Sequence, residues 1–152
     1  FPEVEYIFKH ALTQEVAYGT VLIERRKALH EQTGQALEQL YHERLEEHYD
    51  ELAHHYQRSE NTEKAIEYLH LAGQQAVQRS ADEEAITQLT TALELLTTLP
   101  DTRERAHQEL TLHLMLGVPL QATRSASSPE VKATYTRARE LCQQLGETRQ
   151  CR

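Results

Sequence analysis

Tryptophan is absent, and aromatic residues make up only 6% of the 152 residues. A β-sandwich draws much of its core from aromatic and β-branched side chains, so a chain this poor in aromatics fits helix-on-helix packing by Leu, Ala and Ile better. Glycine and proline are scarce, five and four spread along the chain. No apolar run approaches the ~18 residues of a membrane span, and no basic start leads into an apolar core as in a signal peptide. Net positive charge is lacking too. The formal charge of -8 argues against a surface that tracks nucleic-acid phosphates, which needs Lys and Arg to release counterions. The one local exception, Arg25-Arg26-Lys27, reads as a solvated helix face. Cysteine is limited to Cys142 and Cys151, whose C-x8-C spacing matches no zinc or redox motif; free thiols in a reducing cytoplasm are expected. The chain starts at Phe1 and stops without a punctuated end, so it is expected to be a piece of a larger protein.

What is present describes a globular chain: 39% hydrophobic and 26% charged residues. Val4 to Lys9 alternates apolar and charged residues and predicts a short strand with one buried face. HALTQEVAYGTVL then predicts a short helix ended near Gly19, and Leu22 to Tyr41 a second helix. Gly34 inside that helix either weakens it by about 1 kcal/mol relative to Ala or marks a close crossing by a neighbour.

From Arg44 onward a repeat becomes countable. Tyr49-x2-Leu52-Ala53-x2-Tyr56 is followed by Ala65-x3-Leu69-x2-Ala72. Twenty residues on, Leu69-x2-Ala72-Gly73-x2-Ala76 is followed by Ala85-x3-Leu89-x2-Ala92 and a terminating Pro100. Small residues at these spacings let helix backbones approach, while Tyr49, Leu52, Tyr56 and Leu69 fill the space between layers. The pattern resembles the tetratricopeptide repeat, with no Trp at the large first position and a Pro about three residues late. Thr62 to Arg79 takes part in both registers, as the second helix of one hairpin and the first of the next. The punctuation agrees. Ser80 with Glu83 reads as a capping box, Asp101 with Glu104 resembles one, and Ser128-Pro129-Glu130 sets a cap, a first-turn proline and an acid at a helix start. Helices are expected to begin near residues 62, 82, 102 and 129. Arg103 to Val118 is expected to be helical, Thr123 to Ser128 a polar loop, and the last helix to end at Leu145-Gly146.

Candidate chemistry is sparse. His48, Glu51 and His55 share one helix face at spacings a metal could use, but Tyr49, Leu52, Ala53 and Tyr56 define the buried face, so these polar groups are expected to point to water. The acidic run Glu43, Glu46, Glu47, Asp50 and Glu51 reads as a solvated surface, with docking of a basic partner as the sharper option. No H-E-x-x-H, phosphate loop or G-x-S-x-G occurs.

The N-terminal stretch is more specific. Phe8, His10, Ala11, Leu12, Glu15, Ala17 and Tyr18, then Arg26, Leu29 and His30, followed by AIEYLHLAGQQA and ALELL, resemble the junction after the winged helix in signal-transduction ATPases with numerous domains. The likeness is greatest to bacterial proteins in which a class III adenylate cyclase, an ATPase and tetratricopeptide repeats share one chain. Bacterial transcriptional activators built on the same ATPase are the alternative, with Arg25, Arg26 and Lys27 contributing to DNA binding. The resemblance implies an all-α, right-handed superhelix of helical hairpins over 43–152, preceded over 1–42 by a strand and helix remnant of the winged helix. It implies a non-catalytic, cytoplasmic, regulatory segment that binds a protein partner or the neighbouring ATPase domain, and neither a membrane nor, as a rule, nucleic acid. His10 in FKHAL resembles the histidine that contacts ADP phosphate in such ATPases, with Ala11 where Asp is usual. ATP or ADP with magnesium then belongs to the parent protein; no cofactor is expected for this segment.

Overall fold

A computed structural model describes residues 11–146. These residues are all-α: α1 Ala11–Leu40, α2 Tyr49–Ser59, α3 Thr62–Gln78, α4 Asp82–Leu96, α5 Arg103–Thr123 and α6 Pro129–Leu145, with a 3-10 turn Leu45–His48 before α2. The expected strand at Val4 to Lys9 lies outside the described residues, as do His10 and Cys151.

The helix starts near 62, 82, 102 and 129 coincide with those of α3 to α6. Their caps differ in detail. Asn61 and Ser128 accept from the backbone N–H groups of Lys64 and Val131, and Pro129 occupies the first turn, where its missing N–H costs nothing. The cap of α5 is Thr102, accepting from Arg105 N, rather than Asp101. Ser80 is no N-cap at all. It sits at φ 57°, with its own N–H on Val77 O and the Ala81 N–H reaching back to Ala76 O. That pair of bonds closes α3 as a Schellman turn, with serine in the left-handed position usually given to glycine. The carboxylate of Glu83, freed from capping, meets Arg124 at 2.8 Å.

Three expected boundaries move for physical reasons. The two helices expected before residue 42 are one, because Gly19 keeps a helical φ, and a single interior glycine costs only about 1 kcal/mol. α5 runs through Pro119 to Thr123 instead of stopping at Val118, and the loop shrinks accordingly to Arg124–Ser128. Cys142, expected free, is disulfide-bonded and buried against α5; spacing rules for zinc and redox motifs do not test whether a thiol finds a partner by chain folding.

Successive helices are antiparallel. Lys27 of α1 pairs with Glu60 just past α2, while Tyr41 stacks on His48 at the opposite end. The Gln75 amide, near the end of α3, reaches Glu46 O ahead of α2. Arg137 of α6 pairs with Glu109 of α5, while Arg124 lies 3.6 Å from Glu130. The helices also fall into two layers. In one, Glu38 of α1 accepts from Lys64 and Tyr68 of α3, and His70 of α3 meets Met115 of α5. In the other, Gln88 of α4 donates to Asp50 of α2, and Arg124 bridges Glu83 of α4 and Glu130 of α6. The main core runs between the layers from Leu52 to Leu120 and Val131. A second cluster of Ala106, Leu110, Ala138, Leu141, Cys142 and Leu145 seals α5 on α6.

Candidate functional site

The repeat-pattern residues lie between the helices. Leu52, Ala53, Tyr56, Ala65, Leu69, Ala72, Gly73, Ala76, Ala85, Leu89 and Ala92 are buried, and Tyr49 is half-buried with its ring 6.1 Å from that of Tyr68. On α3 the buried positions span an arc of roughly 160° at 3.6 residues per turn. Tyr68 marks the edge toward α2, where it stacks on Tyr56 at 5.6 Å between centroids. Gly73 marks the edge toward α4, where an added Cβ would lie 2.7 Å from Leu89. Ala65, Leu69, Ala72 and Ala76 fill the arc between. Lys64 roofs the tyrosine stack at 5.9 and 5.6 Å from the two ring centroids and is anchored at 2.8 Å to Glu38, which also accepts the Tyr68 hydroxyl. Burial acts to raise the Glu38 pKa, but its hydrogen bonds with Lys64 and Tyr68, with the Lys64 charge, outweigh it and hold the carboxylate below its usual range. The sequence carries no local sign of this cluster, because Glu38 and Tyr68 are brought together only by the stacking of α1 and α3 in one layer.

The polar residues singled out from spacing separate into different surroundings. His48 pairs with Glu51 at 3.0 Å, but His55 turns away from both, toward α1, where its Nδ1 lies 2.9 Å from His30 Nδ1. The expectation that these groups all face water therefore holds for Glu51 but fails at His48, which stacks on Tyr41, and at His55, whose ring also lies 5.5 Å from that of His54. No group of three or more His, Cys, Asp or Glu suited to a metal ion occurs among the described residues. Within the basic triplet, Lys27 is tied to Glu24 and Glu60 and faces α2, so Arg25 and Arg26 alone remain turned to solvent without an ion-pair partner among the described residues.

The His30–His55 pair needs one ring to donate and the other to accept, so double protonation destroys it. Partial burial lowers both pKa values below the ordinary 6.5, helped at His30 by Arg58, His54 and Arg26 and at His55 by His30 and His54, with Glu51 opposing. A histidine with a lowered folded-state pKa binds fewer protons folded than unfolded. Its stabilising contribution is therefore complete above pH 6.5 and lost as pH falls below it. Amide protection factors along the α1–α2 contact, taken relative to the intrinsic exchange rate at each pH, should fall between pH 7.5 and 5.5, and a His30→Phe/His55→Phe variant should flatten that response.

A cleft of about 890 Å³ lies between α3 and the first half of α5. Both helices belong to the same layer, and the α4–α5 turn closes one side. Its apolar floor comprises Ile66, Leu99, Pro100 and Leu112, of which Ile66 and Leu112 are also core residues. Its rim is charged. Lys64 is committed to Glu38, and Arg105 donates to Leu99 O and lies 3.7 Å from Asp101. Glu63 and Glu104 have no partner among the described residues, and Glu67 is only 3.8 Å from the already engaged Lys64. The uncompensated charge at this cleft is negative. His70 stands at its back against Met115, and burial lowers its pKa, so it adds no positive charge at neutral pH. Glu63 and Glu67 follow one face of α3 at a four-residue spacing, which sequence periodicity can reveal. Their convergence with Glu104 requires α3 and α5 to lie side by side.

No helix among the described residues is long and apolar enough to cross a membrane. No protein family, curated protein or solved structure matches the chain.

Proposed function

We propose that this chain is a non-catalytic protein–protein interaction and regulatory scaffold, a right-handed superhelix of tetratricopeptide-like hairpins from a larger, cytoplasmic, adenylate-cyclase-linked signalling ATPase. The observation that carries the interaction reading is the cleft between α3 and α5. It offers an apolar floor, walled by helices and rimmed by carboxylates of which Glu63 and Glu104 have no partner among the described residues. A partner segment suited to it carries leucine-like anchors flanked by lysine or arginine. Apolar burial then supplies affinity, while the charges steer approach and set register.

A fluorescent peptide with two leucines flanked by lysines tests the reading by anisotropy. Binding should weaken with salt, and Glu63→Lys/Glu104→Lys should weaken it about tenfold or more at low ionic strength. Leu112 is fully buried and unsuitable for substitution, so Pro100→Ser, at the exposed edge, serves as the apolar control. Indifference of binding to all three substitutions would remove the cleft from consideration.

A further inference from the structure

α1 buries one face only. Gly34, Lys27, His30 and Glu31 meet α2 and its following turn, and Glu38 meets α3. The opposite face carries Leu22, Leu29, Ala36 and Leu40 along one line of the helix, at spacings of seven, seven and four residues. These span about 27 Å at 1.5 Å per residue. The three leucines are 46%, 55% and 73% exposed, and no other element of the described chain covers them. Arg25 and Arg26 flank the line at one end without a carboxylate partner among the described residues. The turn after α1 supplies acids at the other end: Glu43, 86% exposed, then Glu46 and Glu47.

We propose that this face is a self-association surface on which two copies pack α1 against α1 in antiparallel fashion. The helix is self-complementary only in that sense. An antiparallel crossing sets Leu29 of each copy against Leu40 of the other and lays Arg26 beside Glu43, twice over by the two-fold axis. A parallel pairing would instead bring the arginines of both copies together and the acids together. Among the described residues the other large exposed apolar side chains are Val16, Val21 and Ile23, on α1 itself, and Val118, alone on α5, so no second helix offers a stripe as the complement of α1. The surface uses no residue of the α3–α5 cleft and stands independently of the peptide-binding reading. An interface this narrow belongs to the weak class, with dissociation in the range of tens of micromolar.

Sedimentation velocity of the 152-residue chain, from about 1 to about 200 µM and with and without dithiothreitol, tests the proposal. The expected result is a monomer at the low end and a dimer at the high end, unaffected by reductant. Leu29→Glu should weaken association at least tenfold while leaving the thermal midpoint of the monomer unchanged, because Leu29 contributes little to the monomer core. Arg26→Glu should also weaken it, and adding Glu43→Arg to that variant should restore it, since an antiparallel pair regenerates the contact with its signs exchanged. A monomer throughout, a dimer lost on reduction, or a dimer indifferent to Leu29→Glu would overturn the proposal. Failure of the charge exchange to restore association would overturn the antiparallel arrangement.

Discussion

Replacing Ala72 by arginine is expected to cost about 3–5 kcal/mol, the cost of an uncompensated buried charge, and with it a large part of the 5–15 kcal/mol that holds an ordinary domain together. Ala72 is 1% exposed and sits midway along the buried arc of α3, between the edge that meets Tyr56 and the edge that meets Leu89. A long side chain there cannot swing out along one interface without entering the other. The helix must therefore either shift against both neighbours or leave a guanidinium without partners. The thermal midpoint should fall by about 6–20 °C, given about 2–4 °C per kcal/mol for a chain of this size. Gln74→Arg, on the exposed side of the same helix, should change stability by less than about 0.5 kcal/mol. An Ala72→Arg protein that melts with the parent would disprove that α3 is clasped from both sides.

The second large effect is a contrast within one helix. Gly19 and Gly34 both lie inside α1, where glycine is worse than alanine by about 1 kcal/mol on propensity alone. At Gly19 an added Cβ meets nothing within 4 Å, so Gly19→Ala should stabilise by up to about that amount. At Gly34 the added Cβ would stand 2.8 Å from Cζ of Tyr56 and 3.1 Å from both flanking ring carbons. That ring is 1% exposed and stacked on Tyr68, so it has little room to retreat. Gly34→Ala should therefore destabilise by about 1–3 kcal/mol despite its better propensity, and Gly34→Val by more. Urea titrations of the two alanine variants should move in opposite directions; movement in the same direction would mean that the α1–α2 crossing is looser than its geometry states.

Much of the framework was legible before any coordinates. The small-x3-large-x2-small pattern at Ala65, Leu69 and Ala72 reports packing between helices adjacent in the chain, and Ser128-Pro129-Glu130 reports a local backbone need. Both kinds of information are short-range, and both locate the helices. What stayed hidden depends on where residues distant in sequence meet. Ser80 and Glu83 have the spacing of a capping box, yet the backbone bonds that close α3 claim Ser80 first, and Glu83 goes to Arg124, forty-one positions away. His55 shares a helical face with His48 and Glu51 on paper, but α1 crosses near its end of α2 and turns it toward His30. The cleft belongs to the same class. Glu63 and Glu104 are unremarkable as a solvated acid on each of two helices, and become one electrostatic feature only when α3 and α5 lie in the same layer.

The layered order has a kinetic consequence. Each helix packs chiefly on the one before and the one after it, so most contacts form between residues close in sequence and little loop entropy must be lost before they begin to stabilise the chain. Such a topology folds in microseconds to milliseconds rather than seconds, and α3 with α4, the most extensively packed pair among the described helices, is the natural place for it to begin. Growth then proceeds outward in both directions. Loss follows the same route in reverse, so that among the described helices α1 and α6 should become open to protease before the central pair does.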